Sequence, residues 1–185
     1  LKFLRKILMF SLSAIVAALK DGEVVLYPTE GVWGMGCDPS NEEAVERLIG
    51  LKGRSQGKGF ILVGSELSHF EKYAEVESHR KELLSKWPGP HTWLVPALKT
   101  SPLLSGGKKT IALRMSKHKE VVAICNEFGG ALVSTSANKE GVQTSLKIKE
   151  VQEIFPGIKA MKGELGGLNK PSTIEDLVTG EVIRS

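Results

Sequence analysis

The stretch LYPTEGVWGMGCDP, residues 26–39, decides the fold because it ends an apolar segment in a turn of small and polar side chains. The apolar residues 24–27 predict a short buried strand. Pro28 has no backbone N–H to donate, so it marks the end of that strand. Thr29 and Glu30 then stand at the strand's carboxyl end, where open α/β sheets bind ligands. An ordinary strand-to-loop turn would show the same residue pattern.

Outward from this stretch, helical and strand patterns alternate along the chain. Asn41 is a favourable N-cap, followed by two acidic residues, for a helix that is predicted to reach Lys52. Further helices are predicted over 66–73, 77–87, 119–128 and 148–154, and further strands over 60–63, 91–96, 110–114, 131–133, 172–177 and 181–184. This alternation predicts an α/β fold with a mixed sheet, and residues 1–185 contain no linker or repeat. We therefore expect a single domain, with the Gly-rich residues 163–167 as its most mobile loop.

The beginning of the sequence combines cations with an apolar run. Lys2, Arg5 and Lys6 precede the apolar residues 7–19, an order that resembles a signal peptide. The run is too short to span a membrane. Its helical spacing instead favours a helix packed on the core, with its apolar face formed by Leu4, Leu8, Leu12, Ile15 and Leu19. We therefore expect a cytoplasmic protein that has no membrane partner.

Composition and charge are those of a globular protein with a mild excess of cations. Hydrophobic residues make up 41% of the 185 residues, and the formal net charge is +4. This charge permits an anionic ligand such as a nucleotide or RNA without requiring one. The two cysteines, Cys37 and Cys125, form no CxxC pair, so two reduced thiols are expected rather than a disulfide framework.

The common nucleotide-binding, hydrolase and zinc motifs are absent from the sequence. Residues 53–58 are one residue short of a P-loop, and Gly59 replaces its Ser or Thr. Residues 31–36 read GxxGxG rather than GxGxxG, and we expect them to lead into a loop. No GxSxG elbow and no His pair with zinc-ligand spacing occur.

A second cluster follows the helix that begins after Asn41. Lys52, Arg54 and Lys58 place three cations within seven residues, among glycines that permit close approach by a phosphate chain. Cations at the end of a helix also complement the helix dipole, which is the simpler explanation.

Three more clusters follow predicted strands. Arg114 ends one strand and could bind a carboxylate with its two-pronged guanidinium, although a surface arginine is equally common. Ser134, Ser136 and Asn138 offer donors and acceptors with little bulk, as either a ligand cradle or a capping turn does. Ser172 opens another strand within residues 170–176. We expect these clusters, each at a strand end, to meet in one groove.

In combination, these stretches resemble the YrdC domain, the family of threonylcarbamoyl-AMP synthases. The resemblance is carried in order by LYPTEGVWGMGCDP (26–39), LKGRSQGKGF (51–60), KWPGPHTWLVPA (86–97), IALRMSKH (111–118), ALVSTSAN (131–138) and KPSTIEDL (170–177). It spans most of the chain and implies a twisted sheet, flanked by helices, around a positively charged groove.

The resemblance implies roles for nine residues. Lys52 and Arg54 match the family's KxR pair and would be catalytic. The implied ATP-binding residues are Lys52, Arg54, Lys58, Ser134, Ser136 and Asn138. Thr29, Arg114 and Ser172 match positions implied to bind threonine. The implied ligands are ATP, L-threonine and bicarbonate, with Mg²⁺ as cofactor through ligands that the sequence does not identify.

The implied activity is synthesis of threonylcarbamoyl-AMP and pyrophosphate from L-threonine, bicarbonate and ATP, for N6-threonylcarbamoyladenosine modification of tRNA. The implied partners are the threonylcarbamoyl-transfer proteins of that pathway, and the mild positive charge permits tRNA or double-stranded RNA as a further partner. Two alternatives remain open at this point. One is an RNA-binding module without turnover, which predicts steeply salt-dependent binding. The other is a carbamoyl-transfer domain that uses carbamoyl phosphate, as in hydrogenase-maturation proteins.

Overall fold

Ten strands and six α-helices alternate along the described residues, 7–55 and 57–185, of a computed structural model. The strands are β1 (Met9–Phe10), β2 (Val25–Pro28), β3 (Trp33–Cys37), β4 (Ile61–Gly64), β5 (His91–Pro96), β6 (Thr110–Met115), β7 (Leu132–Ser136), β8 (Lys159–Met161), β9 (Thr173–Asp176) and β10 (Val182–Arg184). The helices are α1 (Leu12–Lys20), α2 (Glu42–Lys52), α3 (Arg80–Leu84), α4 (Pro102–Ser105), α5 (Lys119–Phe128) and α6 (Ile148–Ile154).

All ten strands belong to one mixed sheet, which confirms the predicted α/β fold. Their order across the sheet is β1-β8-β2-β3-β7-β4-β6-β5-β9-β10. The β4–β6 and β5–β9 pairs are parallel, whereas β2–β3, β3–β7, β4–β7 and β5–β6 are antiparallel. Consequently β6 runs opposite to β7, and their carboxyl ends lie at opposite edges of the sheet.

The helix predicted to follow Asn41 forms with the expected caps. The Asn41 side chain accepts a hydrogen bond from the Ala44 backbone N–H at 3.0 Å. Gly53 ends the helix in the left-handed conformation, with φ of 60°, a value that glycine adopts without a steric penalty. These local signals place Lys52 in the last turn of α2, directly before the segment that carries the other two cations.

The prediction for the first helix is only partly confirmed. Ile15 and Leu19 are buried on α1 as expected, but the helix begins at Leu12, after its N-cap Ser11. Leu8 precedes the helix and is 57% exposed, so it is not part of the packed face. Leu4 lies outside the described residues. Within the part that the structure describes, no helix is long and apolar enough to cross a membrane.

Two other predictions from local pattern need correction. The helix predicted over 77–87 is confirmed at Glu77–Leu84, as a 3-10 helix followed by α3, whereas 66–73 contains the 3-10 helix Leu67–His69 rather than a regular α-helix. Residues 33–37 form strand β3, although the glycines in this segment favoured a loop. The sheet supplies strand pairing on both sides of β3, and this pairing offsets the low strand propensity of glycine.

The two faces of the sheet are covered differently. Along each strand alternate side chains point to opposite faces. On one face, α2, α3 and α6 contribute Leu48, Leu83 and Val151 to the larger core cluster. On the other face, α1 and α5 pack over only part of the sheet, and they bury Tyr27 and Leu132. The rest of that second face remains available for a ligand.

We predict that Gly36→Ala destabilises the protein by about 1–3 kcal/mol, as overpacking of a core does. A Cβ atom at Gly36 would lie 2.1 Å from the Val133 carbonyl oxygen and 2.7 Å from the Tyr27 hydroxyl. Urea unfolding measures the change. The matched control is Gly50→Ala, on the exposed surface of α2, where a Cβ meets nothing within 4 Å and should stabilise the helix by about 0.5–1 kcal/mol. Equal stability of the two variants would contradict the prediction.

Candidate active site

A cavity of about 470 Å³ occupies the uncovered part of the second face of the sheet. Its floor is formed by alternate strand residues whose side chains share that face: Thr110, Ala112 and Arg114 of β6, Ser134 and Ser136 of β7, Leu94 of β5 and Ile174 of β9. The predicted polar clusters thus share one cavity, but the cavity lies on a face of the sheet rather than at one end of its strands. Because β6 and β7 are antiparallel to each other, Arg114 and Ser136 lie at opposite ends of this floor rather than at one edge.

Small side chains in the centre of the sheet create the space for the cavity. Gly34 pairs with Ser136, and Ala112 lies two strands away from Ser134. Gly34 cannot be larger, because a Cβ there would lie 2.8 Å from the Tyr27 ring and 2.9 Å from the Thr29 methyl carbon. The cavity is thus a polar continuation of the surface on which α1 and α5 pack.

Six of the nine sequence-predicted site residues line the cavity, and three do not. The lining residues are Thr29, Arg54, Arg114, Ser134, Ser136 and Ser172. The other three, Lys52, Lys58 and Asn138, lie beside it and contact the loops that form its wall. The nine predicted residues therefore lie in one region, six on the cavity surface and three in or beside its wall.

Lys52 is a buried cation that holds the loop after β7. Its Nζ donates hydrogen bonds to the carbonyl oxygens of Ser136 at 2.6 Å and Asn138 at 2.7 Å. Burial, and then the nearby Arg54 cation, lower the pKa of the Lys52 amine to about 8. Its hydrogen-bond partners are carbonyls, which carry no full negative charge, and the nearby Glu140 carboxylate opposes part of the fall in the pKa.

The Asn138 side chain forms hydrogen bonds inside the same loop. Its side-chain oxygen accepts a hydrogen bond from the Ser136 hydroxyl at 2.5 Å, and its Nδ2 donates to the Val142 carbonyl at 2.7 Å. In this arrangement the Asn138 side chain shapes the loop, while the Ser136 side chain stands at the cavity surface.

Arg54 lies at the end of the cavity that is formed by the start of β4. Its Nη2 donates to the Gly59 carbonyl at 2.6 Å, and its guanidinium lies 4.5 Å from the centroid of the Phe60 ring. Burial lowers the pKa of Arg54 from its usual value, although a guanidinium remains charged at neutral pH. Lys108 lines the same end. Two cations thus flank one end of the cavity.

A clamp between two loops lies beside this end. Glu140 forms an ion pair with Lys58, and its other oxygen accepts from the Ser55 backbone N–H at 2.5 Å and the Ser55 hydroxyl at 2.9 Å. The hydrogen bonds from Lys58 and Ser55 lower the pKa of Glu140 to about 2. Glu140 therefore joins the loop after β7 to the loop after α2.

Arg114 lies toward the opposite end, beside Glu30 of the first predicted cluster. Its Nη2 donates to Glu30 at 3.2 Å. Thr29 donates its hydroxyl to the Val32 carbonyl at 2.7 Å and keeps its side chain at the cavity surface. The Arg114 guanidinium can donate to a carboxylate, and the Thr29 hydroxyl, whose proton goes to Val32, can still accept from a donor group of the ligand, which suits a small acid with a polar side chain.

Sequence reasoning missed Arg184, which lines the cavity from β10. Its Nη2 donates to the Ser172 hydroxyl at 3.1 Å, and that hydroxyl also lies 2.9 Å from Thr92 Oγ1. Burial and the neighbouring Arg114 cation lower the pKa of Arg184. The only available signal was a cation inside a predicted closing strand, and the pairing of β9 with β5 is what brings that strand to the cavity.

The residues of the cavity do not form a metal site by themselves. Among residues 7–55 and 57–185, no three His, Cys, Asp or Glu side chains stand where they could hold a metal ion together. The charged side chains on the cavity surface are cations. A divalent cation would fit here as part of a metal–phosphate complex, in which the phosphate oxygens supply ligands.

Comparison with known proteins identifies the family. The family model described as telomere recombination, which joins Sua5, YciO and YrdC, matches residues 17–185. The chain belongs to the Sua5/YciO/YrdC family. The match covers both ends of the cavity, from Thr29 to Arg184, and it excludes only the first sixteen residues.

Curated members of the Sua5/YciO/YrdC family are similar over nearly their whole length. A protein of Methylobacillus flagellatus named threonylcarbamoyl-AMP synthase is 43% identical over 170 residues, which is 90% of this chain and 94% of the relative. A protein of Aliivibrio fischeri with the same name is 41% identical over 184 residues, covering 95% of this chain and 99% of the relative.

A solved structure shares the architecture. The crystal structure of P. abyssi Sua5 complexed with L-threonine matches with a TM-score of 0.84 and 26% identity. The match covers 92% of this chain and 52% of that one. The Sua5 fold found there is therefore the fold of this chain.

We predict that Glu140→Gln separates the two clamped loops without unfolding the protein. The amide cannot accept the Lys58 ion pair and the Ser55 contacts with the strength of a carboxylate, so the backbone amide of Ser55 should exchange with solvent faster. Hydrogen exchange followed by mass spectrometry measures this, with Glu77→Gln as the control, because Glu77 forms an exposed ion pair with Arg80. Unchanged exchange over residues 53–59 would show that the clamp does not hold the loop.

Proposed function

We propose that the protein synthesises threonylcarbamoyl-AMP from L-threonine, bicarbonate and ATP and releases pyrophosphate. The observation that supports this most directly is a cavity with cations at both ends and small hydroxyl side chains on its floor. The names of the curated relatives agree with this activity, as does the threonine bound to P. abyssi Sua5.

The spacing of the cations suits two anionic groups on one bound intermediate. Thr110 and Arg114 mark the extent of β6 along the floor, which at about 3.3 Å per residue is about 13 Å. Lys108 and Arg54 lie at the Thr110 end, and we assign the phosphates of ATP to it. Arg114 and Arg184 lie toward the other end, which we assign to the carboxylate of threonine.

The proposed chemistry requires no protein nucleophile. The threonine amine and bicarbonate condense to a carbamate with loss of water. A carbamate oxygen then forms a bond to the α-phosphorus of ATP, and the bond to the bridging oxygen breaks, so pyrophosphate leaves with the electron pair. The protein accelerates these steps by holding the reactants together and by offsetting the negative charge that builds up on the phosphates.

Each predicted site residue has a place in this scheme. Arg54 would contact the phosphates, and Ser134 and Ser136 would hold the nucleotide. Arg114, Thr29 and Ser172 would bind threonine. Lys52, Lys58 and Asn138 would act from the wall, by fixing the two loops and by adding positive charge near the phosphates.

We propose that Mg²⁺ enters as the ATP complex. The phosphates supply oxygen ligands, and the ion would further reduce their charge. We also propose a cytoplasmic location, with the threonylcarbamoyl-transfer proteins of tRNA modification as the consumers of the product. We propose tRNA or double-stranded RNA as a further partner, because the net charge of +4 permits direct contact with a nucleic acid.

The test is pyrophosphate release by the purified protein with ATP, Mg²⁺, bicarbonate and L-threonine. We expect release to depend on both threonine and bicarbonate, and to be much weaker with L-serine, since Ser lacks the methyl group of Thr. Salt-dependent RNA binding without release would favour the RNA-binding alternative. Turnover of carbamoyl phosphate in place of bicarbonate would favour the carbamoyl-transfer alternative.

We predict that Arg54→Ala lowers kcat/KM by about 100-fold or more, as the loss of a charge-assisted contact to a transition state does. Steady-state pyrophosphate release measures the change. Arg80→Ala is the matched control, because Arg80 is an exposed arginine that pairs with Glu77 away from the cavity lining. Similar rates for the two variants would remove Arg54 from the active site.

We also predict that activity declines as the pH rises through about 8, because the lowered pKa of Lys52 makes this amine lose its charge there. An unperturbed lysine would remain charged until about pH 10. Pyrophosphate release from about pH 6.5 to about pH 9.5 measures the profile, and circular dichroism at each pH shows whether the fold persists. A flat profile through this range would contradict the role of the Lys52 charge.

A further inference from the structure

Glu30 has a buried carboxylate whose two oxygens are both engaged. Oε1 accepts a hydrogen bond from the Ser116 hydroxyl at 2.6 Å, and Oε2 accepts from Arg114 Nη2 at 3.2 Å. The Glu30 side chain is 11% exposed and does not line the cavity. It therefore acts on a ligand only through Arg114.

Glu30 binds one edge of the Arg114 guanidinium and leaves its other donors for further partners. Its side chain is 13% exposed, and its buried Nε finds no hydrogen-bond partner within the described part of the chain. A buried donor without a partner is costly, and an acceptor that arrives with a ligand removes that cost. The Glu30 contact thus fixes the guanidinium plane while leaving donors for something in the cavity.

The charges at this end of the cavity cancel only in part. Arg114 and Arg184 contribute two positive charges, close enough for Arg114 to lower the pKa of Arg184. Glu30 contributes one negative charge. The sum of one positive charge matches a single carboxylate better than a phosphate group, which carries up to two negative charges near neutral pH.

We propose that Glu30 is a positioning and specificity residue, which orients Arg114 and tunes this end of the cavity to a monoanionic carboxylate and against a phosphate. The proposal rests on the proposed function, since that function assigns the amino-acid substrate to Arg114.

The backbone of Glu30 also supports the Gly-rich loop. Its carbonyl accepts from the Leu168 N–H at 2.7 Å, and the Gly166 N–H donates to the Thr29 carbonyl at 3.0 Å. A Cβ at Gly166 would lie 2.9 Å from the Glu30 Cα. Because these are backbone contacts, substitution of the Glu30 side chain leaves them in place, so its effect on the carboxylate can be measured separately.

The test compares Glu30→Gln and Glu30→Asp with the wild-type chain. Gln removes the charge, and its amide can turn an N–H₂ group toward Arg114. We expect KM for L-threonine to rise about tenfold while KM for ATP changes less than about twofold, and we expect inhibition by inorganic phosphate to strengthen. Asp keeps the charge and should restore part of the threonine affinity.

A positioning role predicts that Glu30→Gln weakens threonine binding and strengthens phosphate binding, a combination that a purely structural role does not predict. A loss of stability alone would raise both KM values or lower kcat, without strengthening phosphate inhibition. Glu120→Gln is the matched control, because Glu120 is a buried glutamate that lies 3.2 Å from His118 and does not contact Arg114. The proposal is overturned if Glu30→Gln leaves both affinities unchanged or weakens them together.

Calorimetric titration of the full chain with L-threonine and with inorganic phosphate makes the test independent of turnover. Threonine binding that Glu30→Gln weakens, in a protein that releases no pyrophosphate, would support the role of Glu30 and refute the synthase activity. A wild-type chain that prefers phosphate to threonine at this end would refute the role of Glu30.

Discussion

The Tyr27 ring lies against Gly34 and Gly36 of β3. This contact marks the boundary, on one face of the sheet, between the part that α1 and α5 cover and the part that forms the cavity. A Cβ at Gly34 would meet the ring at 2.8 Å, and one at Gly36 would meet the Tyr27 hydroxyl at 2.7 Å. The fully buried ring packs with the residues under α1 and α5, and the floor of the cavity begins beside it. Burial raises the pKa of Tyr27 well above its usual value, so the phenol is a neutral part of this boundary.

The cations around the cavity share a second physical feature. Lys52 and Arg54 satisfy donors with backbone carbonyl oxygens, and so does Arg184, which donates to the Ser172 carbonyl at 2.9 Å. A carbonyl satisfies a hydrogen-bond donor without cancelling a full charge. The side chains are therefore fixed in place while much of their positive charge remains for an anionic ligand. Arg114 differs because the Glu30 carboxylate holds it, as Glu140 holds Lys58 in the wall of the cavity.

Local chemistry explains which parts of the fold were predictable. The caps of α2, the helix that ends at Phe128 and the apolar strands have signals within a few residues of each other. The segments near Leu67 and Glu77 are helical, but they contain 3-10 helices, which short apolar periods do not distinguish from α-helices. Strand β3 was missed because glycine has low strand propensity, and the pairing with β2 and β7 is a long-range effect.

The sequence by itself determined the α/β class, the family resemblance and nine candidate site residues, since these depend on residue types and on spacing along the chain. Only the tertiary structure decided that the site lies on a face of the sheet, that Lys52 and Asn138 form its wall, that Arg184 lines it and that Glu30 holds Arg114. The physical reason is strand direction: β6 and β7 run antiparallel, and β10 reaches the cavity through the pairing of β9 with β5. Such pairings form between residues that are distant in the chain, so no local pattern contains them.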